Sequence, residues 1–507
     1  MKKSLIKIFK YSLLLLVIGS VGTFIWTDNE LNTILGKSTE VINISTIIKP
    51  TPSILIKNVA ILSEDCTFFI ENQNVFLKNG AIISISSNEI LEKTDKIVDG
   101  TDLYLIPGLV DSHVHLKESK NDLYLYLVNG VTSIREMAGK PIALDWKKSI
   151  QDGSELGPRM FVTSPSISSV SGLEGYYHQW TRKTINYTNR KDAQKAIQKI
   201  KKQGYDAIKM YDFVNPAMFK ATIEFAGENK IPVIGHIPQV NFKTLYQSGQ
   251  KEIAHIEELV KKNMTDFDKP VWGNSKEYLN YLRTQSDGIA RELKNNEIYV
   301  TSTVALMESL PIQKFDLESK LKEVELEYVN PKISEGTSIA KLGWLPTRNG
   351  YEEGGLDNLE YKKKLETFWN TYIEAIRIMS KSLIKNNVAI LAGTDANVPL
   401  MVAGFSLHEE LKTLSEYGMS NAEVLYSATV APNEWMKSNS GKVKVGYNSD
   451  LVLLSKNPLE NIKNTNTIEF VFFDKSIIDK PQINDILKSI KDVNNKNRSM
   501  EIDEFIE

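Results

Sequence analysis

The segment that most constrains the fold is LIPGLVDSHVHL, residues 105–116, where an apolar run leads into two histidines one residue apart. Successive side chains of a strand alternate between its faces, so His113 and His115 point the same way from the end of one strand. This spacing suits two imidazoles on one metal ion. A His-X-His pair is also found as two surface polar residues, so the prediction depends on further ligands at later strand ends.

The composition limits which ligands and partners are available. The 507 residues include six histidines and one cysteine, Cys66, which excludes an internal disulfide and thiolate-rich zinc or iron–sulfur sites. Any metal must therefore bind nitrogen and oxygen. With 61 Lys and Arg against 63 Asp and Glu, the charge balance gives no reason to expect nucleic acid as a partner.

The N-terminal residues 1–27 are typical of a secretory signal or an uncleaved membrane anchor. A lysine-rich start precedes an apolar segment at 11–26 that could attach the protein to a membrane. The protein is then exported to the cell envelope, periplasmic or extracellular, with the inner membrane as the site of any anchoring. The alternative is an N-terminal amphipathic or core helix. Residues 28–52 are polar with scattered apolar positions and are predicted to form a linker.

Two β-rich stretches flank the main part of the chain. Residues 53–104 contain several β-rich runs separated by turn residues, including a hairpin turn at Asn79-Gly80, and β character returns in residues 436–475. We expect the two stretches to pair as one small β-sandwich built from both ends of the chain. The lysine- and asparagine-rich residues 476–507 are predicted to be a polar tail.

Residues 105–435 alternate between strand and helix patterns, which predicts a closed parallel (β/α)8 TIM barrel with its functional loops at the strand C-terminal ends. A doubly wound open sheet is the competing fold, but it would not direct ligands from many strands to one point. The predicted strands after the first lie at 131–136, 159–163, 205–211, 231–236, 252–255, 298–304 and 388–395. An oversized helical insertion at about 307–385 is either a lid or a solvated surface element.

Four later strand ends carry candidate ligands. Lys209 lies in YDAIKMY, and a buried lysine has a lowered pKa, so its neutral amine could take up carbon dioxide to give a carbamate that bridges two metal ions. The alternative is a lysine that reaches solvent at the rim. His236 ends IPVIGH and His255 ends EIAH, where a single histidine is more often a core residue than a ligand. Asp395 closes VAILAGTD as a carboxylate ligand or as a helix N-cap.

Together these motifs resemble the amidohydrolase superfamily in its binuclear, carboxylated-lysine form, and most closely its imidazolonepropionase and Xaa-Pro dipeptidase (prolidase-like) branch. The resemblance spans about residues 53–462. It is carried by PGLVDSHVHL, GVTSIRE, GPRMFVTSPSI, AIKMY, PVIGHIP, IAHIEEL, LAGTDA, LHEEL and GKVKVGYNSDLVLLSKNPL.

The resemblance implies two divalent metal ions, and zinc suits the nitrogen and oxygen ligands best, with manganese and cobalt left open. His113, His115 and Asp395 would hold the more buried ion, His236 and His255 the outer ion, and Lys209, carboxylated by CO2, would bridge them. A metal-bridging hydroxide would attack the substrate, with Asp395 as general base and then general acid. A mononuclear deaminase-type site is the alternative centre, but it would not need Lys209.

Three further residues are candidates for substrate binding. Tyr211 lies on the same strand face as Lys209 and is a candidate oxyanion donor or a packing aromatic. Arg135 could hold a substrate carboxylate or brace the loops through an ion pair. His178, in SGLEGYYHQW, lies where relatives of this branch often have Gly-Gly-His, and this sequence departs from that run. His408 in LHEEL is expected to be structural.

The sequence therefore predicts an enzyme that hydrolyses a carbon–nitrogen bond in a small molecule, preferably a dipeptide or an N-acyl amino acid. A hydrolase of cyclic amides or lactones on the same centre is an alternative. A non-catalytic envelope binding protein with a degenerate barrel is a further alternative, but it would be expected to lose at least one of the six ligands. The sequence indicates no oligomeric state.

Overall fold

A computed structural model describes residues 2–37, 39–337 and 341–506 as an α/β protein. Its strands are β1 Ser53–Leu62, β2 Phe69–Lys78, β3 Ala81–Ser86, β4 Lys96–Asp99, β5 Tyr104–Pro107, β6 Leu109–Val114, β7 Val131–Glu136, β8 Arg159–Val162, β9 Ile167–Ser168, β10 Ile185–Asn186, β11 Ile208–Met210, β12 Val233–Gly235, β13 Glu252–Ala254, β14 Tyr299–Thr301, β15 Ile390–Leu391, β16 Leu451–Leu454, β17 Ile468–Phe473 and β18 Ser476–Asp479.

The helices alternate with the central strands and are concentrated between β6 and β16. They are α1 Lys2–Thr33, α2 Asn121–Val128, α3 Pro141–Gln151, α4 Gly172–Arg182, α5 Arg190–Gln203, α6 Pro216–Glu228, α7 Phe242–Ser248, α8 Ile256–Phe267, α9 Ser275–Asn295, α10 Val304–Phe315, α11 Leu317–Leu321, α12 Pro331–Glu335, α13 Leu359–Lys385, α14 Phe405–Glu416, α15 Asn421–Ala428, α16 Val430–Met436 and α17 Lys480–Asn497.

The eight strands predicted for the barrel are present as parallel neighbours. β6, β7 and β8 form one sheet, and β11 to β15 follow in order in another. A bridge from Thr163 to Ala207 joins the two sheets at one side. At the other side the Ser112 amide donates to the Ala392 carbonyl, and Val114 bridges to Ala396. The predicted α/β fold is confirmed, and the strand order is compatible with a closed (β/α)8 barrel.

The two ends of the chain pair with each other, as predicted. β5 and β16 are antiparallel, with Tyr104 opposite Leu454 and Pro107 opposite Leu451, so the N-terminal strands and β16–β18 share one eight-stranded sheet. Alternate residues of these strands, among them Ile56, Leu105 and Leu453, bury a separate apolar cluster. The structure thus shows one continuous sheet, and its arrangement as a sandwich stays a prediction.

The prediction of a polar tail at 476–507 is wrong. β18 pairs with β17, and α17 packs on the main core through Ile483, Ile486, Ile490 and Val493. These residues recur three or four positions apart, which places them on one helix face. The lysines and asparagines between them lie on the more exposed side of the helix. Because they dominate the composition of this segment, composition alone did not indicate a buried helix face.

The predicted linker at 28–52 is also more ordered than expected. α1 continues to Thr33, and Ile42, Ile44 and Ile48 are buried in the main core. Among the described residues, one helix is long and apolar enough to cross a membrane. Its candidate span, Ile6–Thr33, has a mean hydropathy of 1.9 over its most apolar window, none of which is buried.

The insertion between β14 and β15 is helical, as predicted. It runs through α10, α11, α12 and α13, and the 27-residue α13 returns the chain to β15. Buried residues on α13, including Tyr372, Ile376 and Met379, join the main core. The insertion is therefore packed on the barrel, and part of it also reaches the site described next.

Candidate metal centre

The first and last barrel strands bring His113, His115 and Asp395 together. Oδ1 of Asp395 lies 3.3 Å from Nε2 of His113 and 2.9 Å from Nε2 of His115. The Asp395 amide donates to the His113 carbonyl, so strand pairing itself fixes the carboxylate beside the histidines. Burial alone would raise the pKa of Asp395, but the hydrogen bond from His115 and the neighbouring charges outweigh it and lower that pKa.

Two of the candidate ligands occupy an unusual backbone conformation. The φ angles of His255 and Asp395 are 96° and 63°, in the region that residues with a Cβ rarely adopt. Such conformations persist where the surrounding structure over-determines them, often at functional sites. Nδ1 of His255 lies 2.9 Å from the Thr303 hydroxyl, so this contact holds the ring and leaves Nε2 available as a ligand.

Lys209 and His236 complete the group from β11 and from the end of β12. Nζ of Lys209 lies 3.4 Å from Nε2 of His113, inside the barrel, and burial lowers the lysine pKa to about 8. The ring of His236 lies 5.2 Å from that of His255. Lys209 therefore faces the barrel interior and not the rim.

The donor chemistry fits a divalent metal ion. His113, His255 and Asp395 each offer one ligand atom, and these atoms lie within 4.8 Å of one another. Burial lowers the pKa of His113, His236 and His255 well below 6.5, which favours the neutral imidazole that binds metals. Within the described chain, Nδ1 of His113 and of His236 is buried without a hydrogen-bond partner, so neither of these nitrogens is engaged by another group of the protein.

The structure places all six predicted ligands and Tyr211 on one cavity of about 830 Å³. The ring of Tyr211 lies 4.5 Å from that of His236, and burial raises the pKa of its hydroxyl, which stays protonated at neutral pH. The set comes from five different strand ends, as the sequence predicts for a barrel mouth.

Arg135 does not reach this cavity, so its predicted contact with a substrate carboxylate is wrong. It is fully buried, and Nη2 donates to both Glu252 carboxylate oxygens at 2.6 and 2.7 Å. Its guanidinium carbon lies 4.5 Å from the centre of the Trp435 ring. Arg135 is thus paired with a carboxylate inside the barrel through Nη2, which agrees with the bracing alternative.

His178 does not line the cavity either, so its predicted direct contact with substrate is also wrong. It is buried on α4, with its ring 5.3 Å from that of Phe213, and Phe213 lies between it and Tyr211. His408 is structural, as expected: its ring nitrogens contact the Thr465 hydroxyl at 2.9 Å and the Asn129 carbonyl at 3.2 Å. The remaining four of the six histidines are those of the candidate centre.

Glu136 is a site residue that sequence reasoning missed. Its carboxylate accepts from the Leu116 amide at 2.6 Å and the Ala138 amide at 3.0 Å, and it lies 4.0 Å from Nδ1 of His115. It thereby fixes the loop that carries His115. The signal was an acid at the end of the buried strand GVTSIRE, next to the strand that bears the His-X-His pair.

The cavity walls were also not predicted. Glu257 and Lys261, one turn apart on α8, form an ion pair in the cavity. Burial raises the pKa of Glu257, whereas the carboxylates of Glu257 and Glu258 outweigh burial and raise the pKa of Lys261. The insertion supplies an apolar and aromatic wall consisting of Leu306, Met307, Leu310, Tyr351, Phe368, Trp369 and Tyr372. The insertion thus covers one side of the cavity.

Part of the sequence and the overall fold are similar to known proteins. Residues 328–484, which include Asp395 and the C-terminal strands, match the amidohydrolase family. Among solved structures, one of similar fold is a bottromycin amidohydrolase, with a TM-score of 0.67, 19% identity, and coverage of 92% of this chain and 96% of the other.

A second solved structure of similar fold is a Xaa-Pro dipeptidase with bound methionine in the active site, with a TM-score of 0.61 and 15% identity. The match covers 84% of this chain and all of the dipeptidase. A dihydropyrimidinase from Dictyostelium discoideum is 39% identical over 67 residues, which are 13% of each chain. The curated relatives that this chain matches are covered over only 13 to 19% of their length.

Proposed function

We propose that this protein is a metal-dependent hydrolase of carbon–nitrogen bonds and that its preferred substrate is a dipeptide or an N-acyl amino acid. The observation that carries the proposal is the convergence of six potential ligands from five strand ends on one cavity. Structural neighbours that share the fold include an amidohydrolase and a dipeptidase, which agrees with this class of reaction.

We infer that His113, His115 and Asp395 hold one divalent ion and that His236 and His255 hold a second. Zinc suits these nitrogen and oxygen ligands best. Divalent ions bound there would lower the pKa of a coordinated water and polarise a substrate carbonyl. Lys209 would bridge the ions as a carbamate, formed when its neutral amine adds to carbon dioxide and releases a proton.

The side chains of the protein supply the remaining steps. Asp395, which stays ionised, is placed to accept a proton from the attacking water and to return it to the leaving nitrogen. Tyr211, which stays protonated, is placed to donate a hydrogen bond to the carbonyl oxygen as negative charge develops on it. The aromatic wall of the insertion would exclude water and favour an apolar group on the acyl side.

We also propose that the protein is exported and stays attached to the membrane through α1. The lysines before the apolar segment, at positions 2, 3, 7 and 10, favour a cytoplasmic N-terminus. No residue in the most apolar window of this helix is buried, as expected of a segment that lies in lipid. The barrel would then face the outside of the cytoplasmic membrane.

Metal analysis combined with Lys209→Ala tests the centre. The full-length protein in detergent should bind about two equivalents of zinc, and Lys209→Ala should lower kcat by about 100-fold or more. Propionate, which replaces the missing carboxylate, should restore part of the activity. Lys220→Ala, at an exposed lysine on α6, is the matched control. Less than one equivalent of metal in the fully loaded protein would refute the binuclear centre.

A substrate panel tests the reaction class. The zinc-loaded protein should hydrolyse Xaa-Pro dipeptides or N-acyl amino acids faster than cyclic amides and lactones. Activity on lactones alone would refute the proposed preference. Full metal occupancy without turnover of any of these amides or esters would favour the binding-protein alternative.

A further inference from the structure

The apolar face of α4 points away from the protein. Leu173, Tyr176 and Tyr177 are 88%, 72% and 57% exposed, and Trp180 continues the same stripe one turn later. The spacing of three or four residues puts all four on one side of the helix. The opposite side buries Gly175 and His178 against the barrel. We call Leu173, Tyr176, Tyr177 and Trp180 the α4 apolar face.

The apolar helix α1 lies beside this face. The Phe24 ring stacks on Trp180 with centroids 4.8 Å apart, and the Trp180 indole N–H donates to Asp28 at 3.0 Å. Lys183, directly after α4, forms an ion pair with the same Asp28 at 3.3 Å. Three contacts therefore hold the C-terminal part of α1 against α4.

The positions of the charges on α1 indicate the depth at which this contact lies. Seventeen uncharged residues separate Lys10 from Asp28. At 1.5 Å per residue they span about 25 Å, close to the hydrocarbon thickness of about 30 Å that a helix must cross. With α1 spanning the bilayer as proposed, Phe24 and Asp28 would lie where α1 leaves the hydrocarbon. Trp180 would then lie at the headgroup level, where tyrosine and tryptophan are enriched.

We propose that the α4 apolar face lies in the surface of the same bilayer that α1 spans, so that α4 is a second, interfacial membrane contact. Its occupant is lipid, because the face is continuous with α1 and presents leucine and aromatic side chains of the kind that interfacial helices insert. This inference rests on the proposed anchoring by α1, not on the proposed hydrolysis.

The placement brings the candidate metal centre close to the membrane. On its buried side α4 contacts Phe213 through His178, and the Phe213 ring lies 5.5 Å from Tyr211, which lines the metal cavity. Only two side-chain contacts therefore separate the α4 helix from a cavity wall. Together with the proposed hydrolysis, this placement favours amphiphilic amides that partition into the bilayer as the substrate class.

Site-directed fluorescence tests the placement. Cys66 is buried, and burial raises the pKa of its thiol to about 11, so an introduced cysteine can be labelled selectively. Leu173→Cys and Tyr176→Cys report on the α4 apolar face. Leu91→Cys is the control, because Leu91 is 87% exposed but lies between β3 and β4. Each full-length variant carries an environment-sensitive fluorophore in vesicles of phosphatidylethanolamine and phosphatidylglycerol.

Labels at positions 173 and 176 should show blue-shifted emission and should be quenched about twofold by lipids with a spin label near the headgroup, whereas the label at 91 should show neither effect. Equal quenching at 173 and 91 would overturn the proposal. A mature protein that has lost α1, detected by intact mass, would overturn it too. Metal content and hydrolysis in the same samples report separately on the proposed function.

Discussion

The buried pair of Arg135 and Glu252 gives the sharpest quantitative test of the structure. Both side chains are completely buried, and Arg135 donates twice to the Glu252 carboxylate. In Arg135→Met, the Thr301 hydroxyl, at 2.7 Å, would be the one donor to this carboxylate that remains among the described residues. Removing one partner of a buried pair costs about 3 to 5 kcal/mol, because the other charge is left uncompensated. We expect Arg135→Met to lower the free energy of unfolding by about 4 kcal/mol.

The matched control is Arg377→Met. Arg377 also binds one carboxylate through two nitrogens, at 2.9 Å each to Glu308, but both side chains are partly exposed. Exposed pairs contribute about 0 to 1 kcal/mol, so the control should change little. Urea unfolding in detergent, followed by tryptophan fluorescence, measures both variants under the same conditions.

The double variant Arg135→Met/Glu252→Gln separates the buried charge from lost packing. Glutamine keeps an oxygen for the Thr301 hydroxyl but carries no charge, so the double variant should recover about 2 kcal/mol relative to Arg135→Met. If Arg135→Met costs no more than Arg377→Met, or if the second substitution recovers nothing, the argument from an uncompensated buried carboxylate is refuted.

Three further predictions follow from the site and its surroundings. Burial lowers the pKa of His408 from 6.5 to about 4, so the unfolded chain takes up this proton first. The neutral ring therefore contributes its full stabilisation above pH 6.5, and the free energy of unfolding falls by about 3 kcal/mol as the pH drops to 4. His408→Gln should remove this decrease, as measured by urea unfolding at each pH. Chelation should lower the thermal midpoint and added zinc should restore it, since a ligand at 1,000 times its Kd stabilises the folded state by about 4 kcal/mol; an unchanged midpoint would contradict a bound metal. Tyr211→Phe should lower kcat by about 100-fold with little change in KM, and equal effects on both constants would indicate a binding role instead of transition-state stabilisation.

The candidate ligands could be predicted from the sequence because each one lies in or shortly after the C-terminal part of a short apolar strand. In a barrel the strand ends meet at one rim, so a residue such as His236 or Asp395 could be placed without knowledge of its neighbours. The alternation of side chains along a strand also put Lys209 and Tyr211 on the same face. Local patterns were therefore enough to predict that these side chains lie near one another, whereas their roles as ligands came from the resemblance to a family.

The errors arose where contacts between distant parts of the chain decide the outcome. Alternation gives the face of Arg135, but not its depth in the barrel or its partner Glu252, which is 117 residues away. The helix after residue 479 was not predicted, because its buried apolar residues occur only at every third or fourth position of a lysine-rich segment. The aromatic cavity wall was missed because the insertion acquires its inner face only by packing on the barrel.

The pairing of β5 with β16 has a consequence for biogenesis. β5 directly precedes the strand that bears His113, yet its antiparallel neighbour lies more than 300 residues later. A nascent chain that has emerged only as far as the barrel leaves β5 with a bare hydrogen-bonding edge, which is a template for aggregation. Translation stalled before residue 451 would thus yield an aggregation-prone product, and chaperones that bind the nascent chain must act until β16 has left the ribosome.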